Sequence, residues 1–501
     1  MRWRAVVAAA VATAAAQTLE VTVVDESGRP ATARLRLISA DGRAQPIQAL
    51  DPARPVAIHP RFAELGVVVE RRIRVKIPGG ASRAIVDRGP EYRLVELDLK
   101  GGSGEQVNRI ARLSRWTDMS ARGWWSGDLH VHRAPADMPA LMEAADLNLA
   151  PTITRWNDRS SIDSWEGDRP FTTGIHRAWS IDNSEDERNW GAALFFNLRT
   201  PMALYPSKAE DPPPSQTWSE ARARGAFIDQ EKLIWWAAPV MALLEPPDTM
   251  GLLNNHFQEE AMMANEAWGR PRDTLKYPGE AGFVSYILDL YYTYLSSGMR
   301  VAASAGSANG VLRSPLGQNR SYVHLGRRFS YAAWLKGQKA GRNFVTNGPM
   351  LLVEVNGKPP GTVLEASVGE ATVEVRAESR GDLDRAEVLV DGVVAATLRP
   401  RSGASRIADA VRVRVEPGSW LAARCFEKRP AGRDPRTIRL AHTSPFYFGK
   451  EPKRSAAARQ FLGEWIDEYI RRVEALPEAA MPGGRKLEWI TECRRARAKL
   501  D

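Results

Sequence analysis

Apolar residues along the chain change period twice, and the two changes divide it. From Thr18 to Leu113 they alternate in short runs, "LEVTVVDESGRP", "ATARLRLISADG", "GVVVERRIRVKIPGG" and "YRLVELDLKGG", each closed by Gly, Pro, Asp or Ser. Period-two runs bounded by turn residues predict short strands, and here a small β-sandwich over residues 17–114. Between residues 115 and 343 strand-like runs alternate with helical ones. "PADMPALMEAADLN" leads into "LAPTIT", "SEARARG" feeds "AFIDQ", and the long helix "GEAGFVSYILDLYYTYLSSG", with Gly298 past its end, precedes "MRVAASAG". Such alternation predicts an α/β region, either a parallel sheet or a distorted (β/α) barrel. Residues 344–450 return to short strands ("MLLVEVNGK", "ATVEVRAES", "AEVLVDGVVAATL") and predict a second β-sandwich. In residues 451–501, Phe461, Leu462, Trp465, Ile466, Tyr469, Val473 and Leu476 recur at helical spacing, as in a helix docked on a core.

Composition adds limits to this layout. A chain of 501 residues with 44% hydrophobic and 26% charged residues has the material for several packed domains. The net charge of +9 is a small excess of 69 basic over 60 acidic side chains mixed along the chain, and the basic run "RRARAK" contains no stacking aromatics. A nucleic-acid partner is therefore not expected. Residues 1–16, "MRWRAVVAAAVATAAA", combine a basic start, a short apolar segment and small residues at Ala14 and Ala16, the layout of a secretory signal cleaved near Ala16. The expected mature protein is exported, periplasmic or secreted, and no later apolar run is long enough to span a bilayer. Export permits disulfides, but Cys425 and Cys493, the two cysteines, stand far apart in sequence and are read as separate buried or idle thiols, neither catalytic.

With only seven histidines in the chain, "GWWSGDLHVHR" places two of them, His130 and His132, two residues apart. On a strand, positions i and i+2 share a face, so both imidazoles can address one point. Polar residues close the other strand-like runs: Trp156, Asn157 and Asp158 after "PTIT", Glu231 after "AFIDQ", Asn254, Asn255 and His256 after "TMGLL", Ser307 and Asn309 in "AASAGSANG". In a barrel those strand ends would share one mouth. His130, His132 and Glu231 then form a ligand set for one divalent cation, zinc or manganese, with His256 as a fourth ligand or general acid. Such an ion lowers the pKa of its water from 15.7 to about 7, and Asp128 could orient an imidazole or take the water's proton. Trp156, Asn157, Asn255 and Ser307 are the candidate substrate contacts. Each has a plainer role available: Glu231 can pair with Lys232, Asp128 can cap a turn, and His256 can start a helix.

"GWWSGDLHVHR", together with "RGPEYRLVELDL", "AGRNFVTNGP" and "AHTSPFYF", resembles the PHP superfamily, the polymerase and histidinol phosphatase metal-dependent hydrolases, in its exported branch related to carbaryl hydrolases. The resemblance implies a distorted β/α barrel between two β-sandwiches, one to three divalent ions, and hydrolysis of an ester, amide or phosphoester. His130 and His132 match the family's H-x-H ligands. Three later motifs depart from it: Arg155-Trp156 stand for Asp-His, Glu231-Lys232 for His-Pro, and Ser307-Ala308-Asn309-Gly310 for Ser-Asp-x-His. The residues left suit one ion. The other reading is a glycan-acting or glycan-binding protein, in which Trp124-Trp125 and Trp235-Trp236 would be stacking platforms for sugar rings on a scaffold that has lost part of its metal site. The small-molecule or polymer substrate is not specified by the sequence.

Overall fold

The computed structural model describes residues 17–50, 55–100, 105–162, 169–188, 191–203, 205–206, 210–365, 369–401, 405–429 and 438–501. Residues 1–16, expected from the sequence to be a secretory signal, lie outside them. The chain divides into two compact units, the first running to Arg88 and from Tyr92 to Arg115, the second holding Gly89–Glu91 and Trp116–Asp501.

The first unit is all β. Thr18–Val24, Gln48–Ala49, Arg72–Lys76 and Gln106–Arg112 form a four-stranded sheet, while Thr32–Ser39 lies in a five-stranded one with Ala44–Gln45, Val67–Glu70, Ala81–Asp87 and Val95–Asp98. Leu19, Val21 and Val23 from one sheet and Leu35, Leu37, Ala84 and Val86 from the other share one core. The alternation in "LEVTVV" is what turns those three side chains inward.

A (β/α) barrel, expected for residues 115–343, is not what the second unit builds. Across the described residues of the chain, strands hold 37% and helices 21%, with seven α-helices. The central strands belong to a 17-stranded mixed sheet that continues into the C-terminal β region. Parallel pairs do occur where a helix intervenes: Asp229 pairs with Thr249 across the helix Ala238–Leu244, and Thr249 with Ala302 across Gly279–Ser296. Gly127 likewise pairs in parallel with Leu149 across Met138–Ala144, and Leu149–Trp156 with Ala178–Arg188, but the remaining central strands are antiparallel to their neighbours. Ala178–Arg188 folds back on Gly191–Phe196 in antiparallel register starting at Arg188↔Gly191, and that strand is antiparallel to Phe227–Gln230. Trp124–Gly127 is antiparallel to Arg320–His324, which is antiparallel in turn to Asn343–Thr346. This last strand also pairs with Leu440–Thr443, so the central and C-terminal β regions share one sheet.

The long helix Gly279–Ser296 buries Phe283, Ile287, Tyr291 and Tyr294, and ends before Gly298, whose φ of 104° suits a residue without a side chain. Ala456–Glu474, capped by the Ser455 hydroxyl, brings Leu462, Trp465, Ile466, Tyr469 and Val473 into the same core. Each such aliphatic side chain contributes about 1.5–3 kcal/mol through the water it sheds. Cys425 and Cys493 are separate, buried and free. No helix among the described residues is long and apolar enough to cross a membrane.

His442, fully buried on the strand Leu440–Thr443, gives a pH-dependent handle on this core. Its Nδ1–H donates to the Thr443 carbonyl at 2.7 Å, and its Nε2 accepts from the Tyr292 hydroxyl at 2.8 Å. Burial, and then the nearby Arg424 charge, push its pKa down from 6.5 to about 3. Between those two values the unfolded chain binds the extra proton, so the stability it supports is complete above pH 6.5 and falls as the pH is lowered toward 3. The loss should be on the order of a few kcal/mol. In melting curves from pH 7 to pH 4, His442→Gln should lose less stability on acidification than wild type; parallel pH dependences would contradict this role.

Candidate metal centre

The strand ends at Gly127 and the chain bends at Leu129, after which Val131 bridges in parallel to Thr152 on one side and Asn309 on the other. Leu129 N–H donates to Ala305 O and His132 N–H to Asn309 O on one edge, while Asp128 N–H donates to Leu149 O and Val131 O accepts from Ile153 N–H on the other. Val131 turns away from the site, fully buried, while His130 and His132 face the other way. The segment Ala305–Gly310, "AGSANG", supplies backbone rather than ligands. A Cβ on Gly306 would lie 2.4 Å from His130 Cβ, and one on Gly310, whose φ is 102°, would lie 2.0 Å from His132 O. Only glycine permits that approach.

The two Nε2 atoms stand 3.0 Å apart. Glu185 Oε2 lies 3.0 Å from His132 Nε2 and 3.4 Å from His130 Nε2. Among the described residues these three form the one group of His, Cys, Asp and Glu whose ligand atoms lie close enough together to hold a metal ion, all within 4.8 Å of one another. The spacing matches a shared ion, because ligands about 2.0–2.1 Å from a tetrahedral centre are about 3.3 Å from each other. Glu185 supplies a second test: it is buried, yet neither carboxylate oxygen takes part in a hydrogen bond of normal geometry. A buried carboxylate in that condition calls for a cation. Two imidazole nitrogens and a carboxylate are a donor set suited to zinc or manganese.

Glu231 serves the centre from behind. Its Oε1 lies 3.2 Å from His130 Nδ1 and 3.3 Å from Asn255 N, while Oε2 meets the Lys232 ammonium. An Nδ1–H directed at Glu231 leaves the His130 Nε2 lone pair for the ion, the arrangement that fixes tautomer and ring orientation in metal sites. The ligand oxygen expected of Glu231 is offered instead by Glu185, from the strand Ala178–Arg188. Nothing in "AWSIDNSEDER" marks it as a strand, since Asp, Asn and Ser are poor strand formers. The available signal was the carboxylate pair two residues apart, Glu185 and Glu187, just before the apolar run "GAALFF".

Charge is concentrated here. Burial opposes ionisation of Glu231, but Lys232 and His130 hold its pKa down at about 2. Burial likewise works against Glu185, and His130 and His132 keep it below the ordinary carboxylate range. His130 is disfavoured as a cation by burial but lifted to about 10 by Glu185 and Glu231. Glu187, whose Oε2 accepts from Trp156 Nε1 at 3.2 Å, is pushed up to about 8 by burial and by the Glu185 charge.

The other candidates take distinct places. Asp128 accepts three backbone N–H groups, from His130 and Ser307 at 3.0 Å and from Gly317 at 2.7 Å, and so ties the histidine segment to two loops. His256 Nδ1 bonds to Met263 O at 2.9 Å, and its ring stacks on Phe283, outside the three-residue group. Burial and the Lys232 charge lower its pKa to about 4. Trp156 lies beside the centre, its ring 5.0 Å from that of His132. Asn255 Oδ1 accepts from Lys232 at 2.6 Å, Asn157 Oδ1 accepts from Glu187 N, and the Ser307 hydroxyl is engaged with the Asn319 backbone. Trp124, Trp125, Trp235 and Trp236 are all buried, so neither pair offers the open face a sugar platform needs.

No protein-family model, no curated protein and no solved structure matches the chain.

Proposed function

We propose that the protein is an exported hydrolase that depends on one divalent cation, zinc or manganese, and cleaves an ester, amide or phosphoester bond. The observation that carries this reading is the convergence of His130 Nε2, His132 Nε2 and Glu185 Oε2 around one point, with the Glu185 carboxylate otherwise without a hydrogen bond. A cation held there supplies an acidified water and a Lewis acid for the scissile oxygen. The chain's own groups do the rest. Glu231 holds the His130 ring by its Nδ1–H, and the Lys232 ammonium balances the Glu231 charge. Trp156 flanks His132, while Gly306 and Gly310 let the backbone that carries the two histidines lie against the neighbouring loop.

The test uses chelator-stripped protein assayed on p-nitrophenyl acetate, a p-nitroanilide and bis-p-nitrophenyl phosphate, with and without added Zn²⁺ or Mn²⁺. At least one substrate should be turned over only when metal is restored, and His130→Ala/His132→Ala should abolish that gain. A rate untouched by chelation and by the double substitution would refute the proposal.

A further inference from the structure

We propose that the Lys232 ammonium is a built-in cation occupying a second cation position beside the histidine centre, and that it limits the centre to a single metal ion. This rests on the reading of His130, His132 and Glu185 as a metal centre.

Lys232 is unusual for its depth. Its side chain is 2% exposed, and a buried ammonium persists only where oxygens replace its water. Those oxygens are Glu231 Oε2 and Asn255 Oδ1, the latter at 2.6 Å. A carboxylate and an amide oxygen are also the donors a hard divalent ion takes. The Glu231 carboxylate faces the three-residue centre through Oε1 on His130 Nδ1 and faces Lys232 through Oε2, the way a bridging carboxylate serves two neighbouring cations. The Lys232 charge acts on both Glu187 and His256, which lie on strands or loops from different parts of the chain. Removing the ammonium would leave Glu231 Oε2 and Asn255 Oδ1 facing an emptied, anionic space, where a divalent ion restores both the charge and the contacts.

The experiment compares wild type, Lys232→Ala and Lys232→Leu, each full length and chelator-stripped, then reloaded with Zn²⁺. Bound metal is measured by elemental analysis after gel filtration and by calorimetric titration, with circular dichroism to confirm folding. Wild type should bind one equivalent, Lys232→Ala two, and Lys232→Leu one, because leucine fills the space without offering a donor. A folded Lys232→Ala protein that binds one equivalent overturns the proposal. So does a wild-type crystal soaked in millimolar Zn²⁺ that shows two anomalous peaks at this centre, a measurement that needs no variant to fold. Wild type binding none would instead overturn the metal-centre reading itself.

Discussion

Glu185→Gln should lower Zn²⁺ affinity more than 100-fold, whereas Glu231→Gln should lower it about 10- to 100-fold, the range for residues that orient a ligand without touching the ion. The distinction follows from geometry. Glu185 Oε2 stands within 3.4 Å of both imidazole Nε2 atoms, on the side where their lone pairs meet. Glu231 stands on the opposite edge of the His130 ring, at Nδ1. Glutamine at 185 keeps the volume but replaces the anion with a neutral amide, and can aim an NH2 group at the ion. Calorimetric titration of both variants at constant pH decides the order. Equal losses would mean that the two carboxylates have the same role, and a larger loss at Glu231 would reverse the assignment.

The second large effect is expected on stability. Asp128→Ala should cost on the order of 3–5 kcal/mol, because three buried N–H groups, on His130, Ser307 and Gly317, lose their charged acceptor at once. Burial raises the Asp128 pKa, and these three donors oppose that rise, which marks the carboxylate as a structural fastening. Asp128→Asn should be destabilised too, though less, since its amide NH2 must face one of the N–H groups. Thermal melts of the two variants against wild type give the comparison, and a wild-type melting temperature for Asp128→Ala would show that the three bonds are dispensable. Zn²⁺ affinity should fall with Asp128→Ala even in the folded fraction, because the His130 backbone is one of the groups released.

The histidine pair was legible in the sequence for a simple reason: two residues apart on an extended segment means one face, whatever the rest of the fold does. The long helix Gly279–Ser296 and the docked helix Ala456–Glu474 were legible for a similar reason, a helical apolar stripe over many turns. Glu185 was hidden because its strand is written in residues that favour turns, and its contact with His130 is made only in three dimensions. The barrel expectation failed at the connections. A parallel crossover and an antiparallel hairpin can join the same two apolar runs, and the Arg188↔Gly191 pairing that decides between them is a matter of register, which the apolar pattern does not carry. Likewise "AGSANG" reads as a site that has lost its ligands, whereas Gly306 and Gly310 contribute by the side chains they lack.

Whether His130, His132 and Glu185 share one cation is read out by anomalous diffraction above the zinc edge from crystals grown with Zn²⁺. One peak is expected, about 2.0–2.2 Å from His130 Nε2, His132 Nε2 and a Glu185 carboxylate oxygen. A peak bound elsewhere with those three atoms bare, or no peak at saturating zinc, would contradict it.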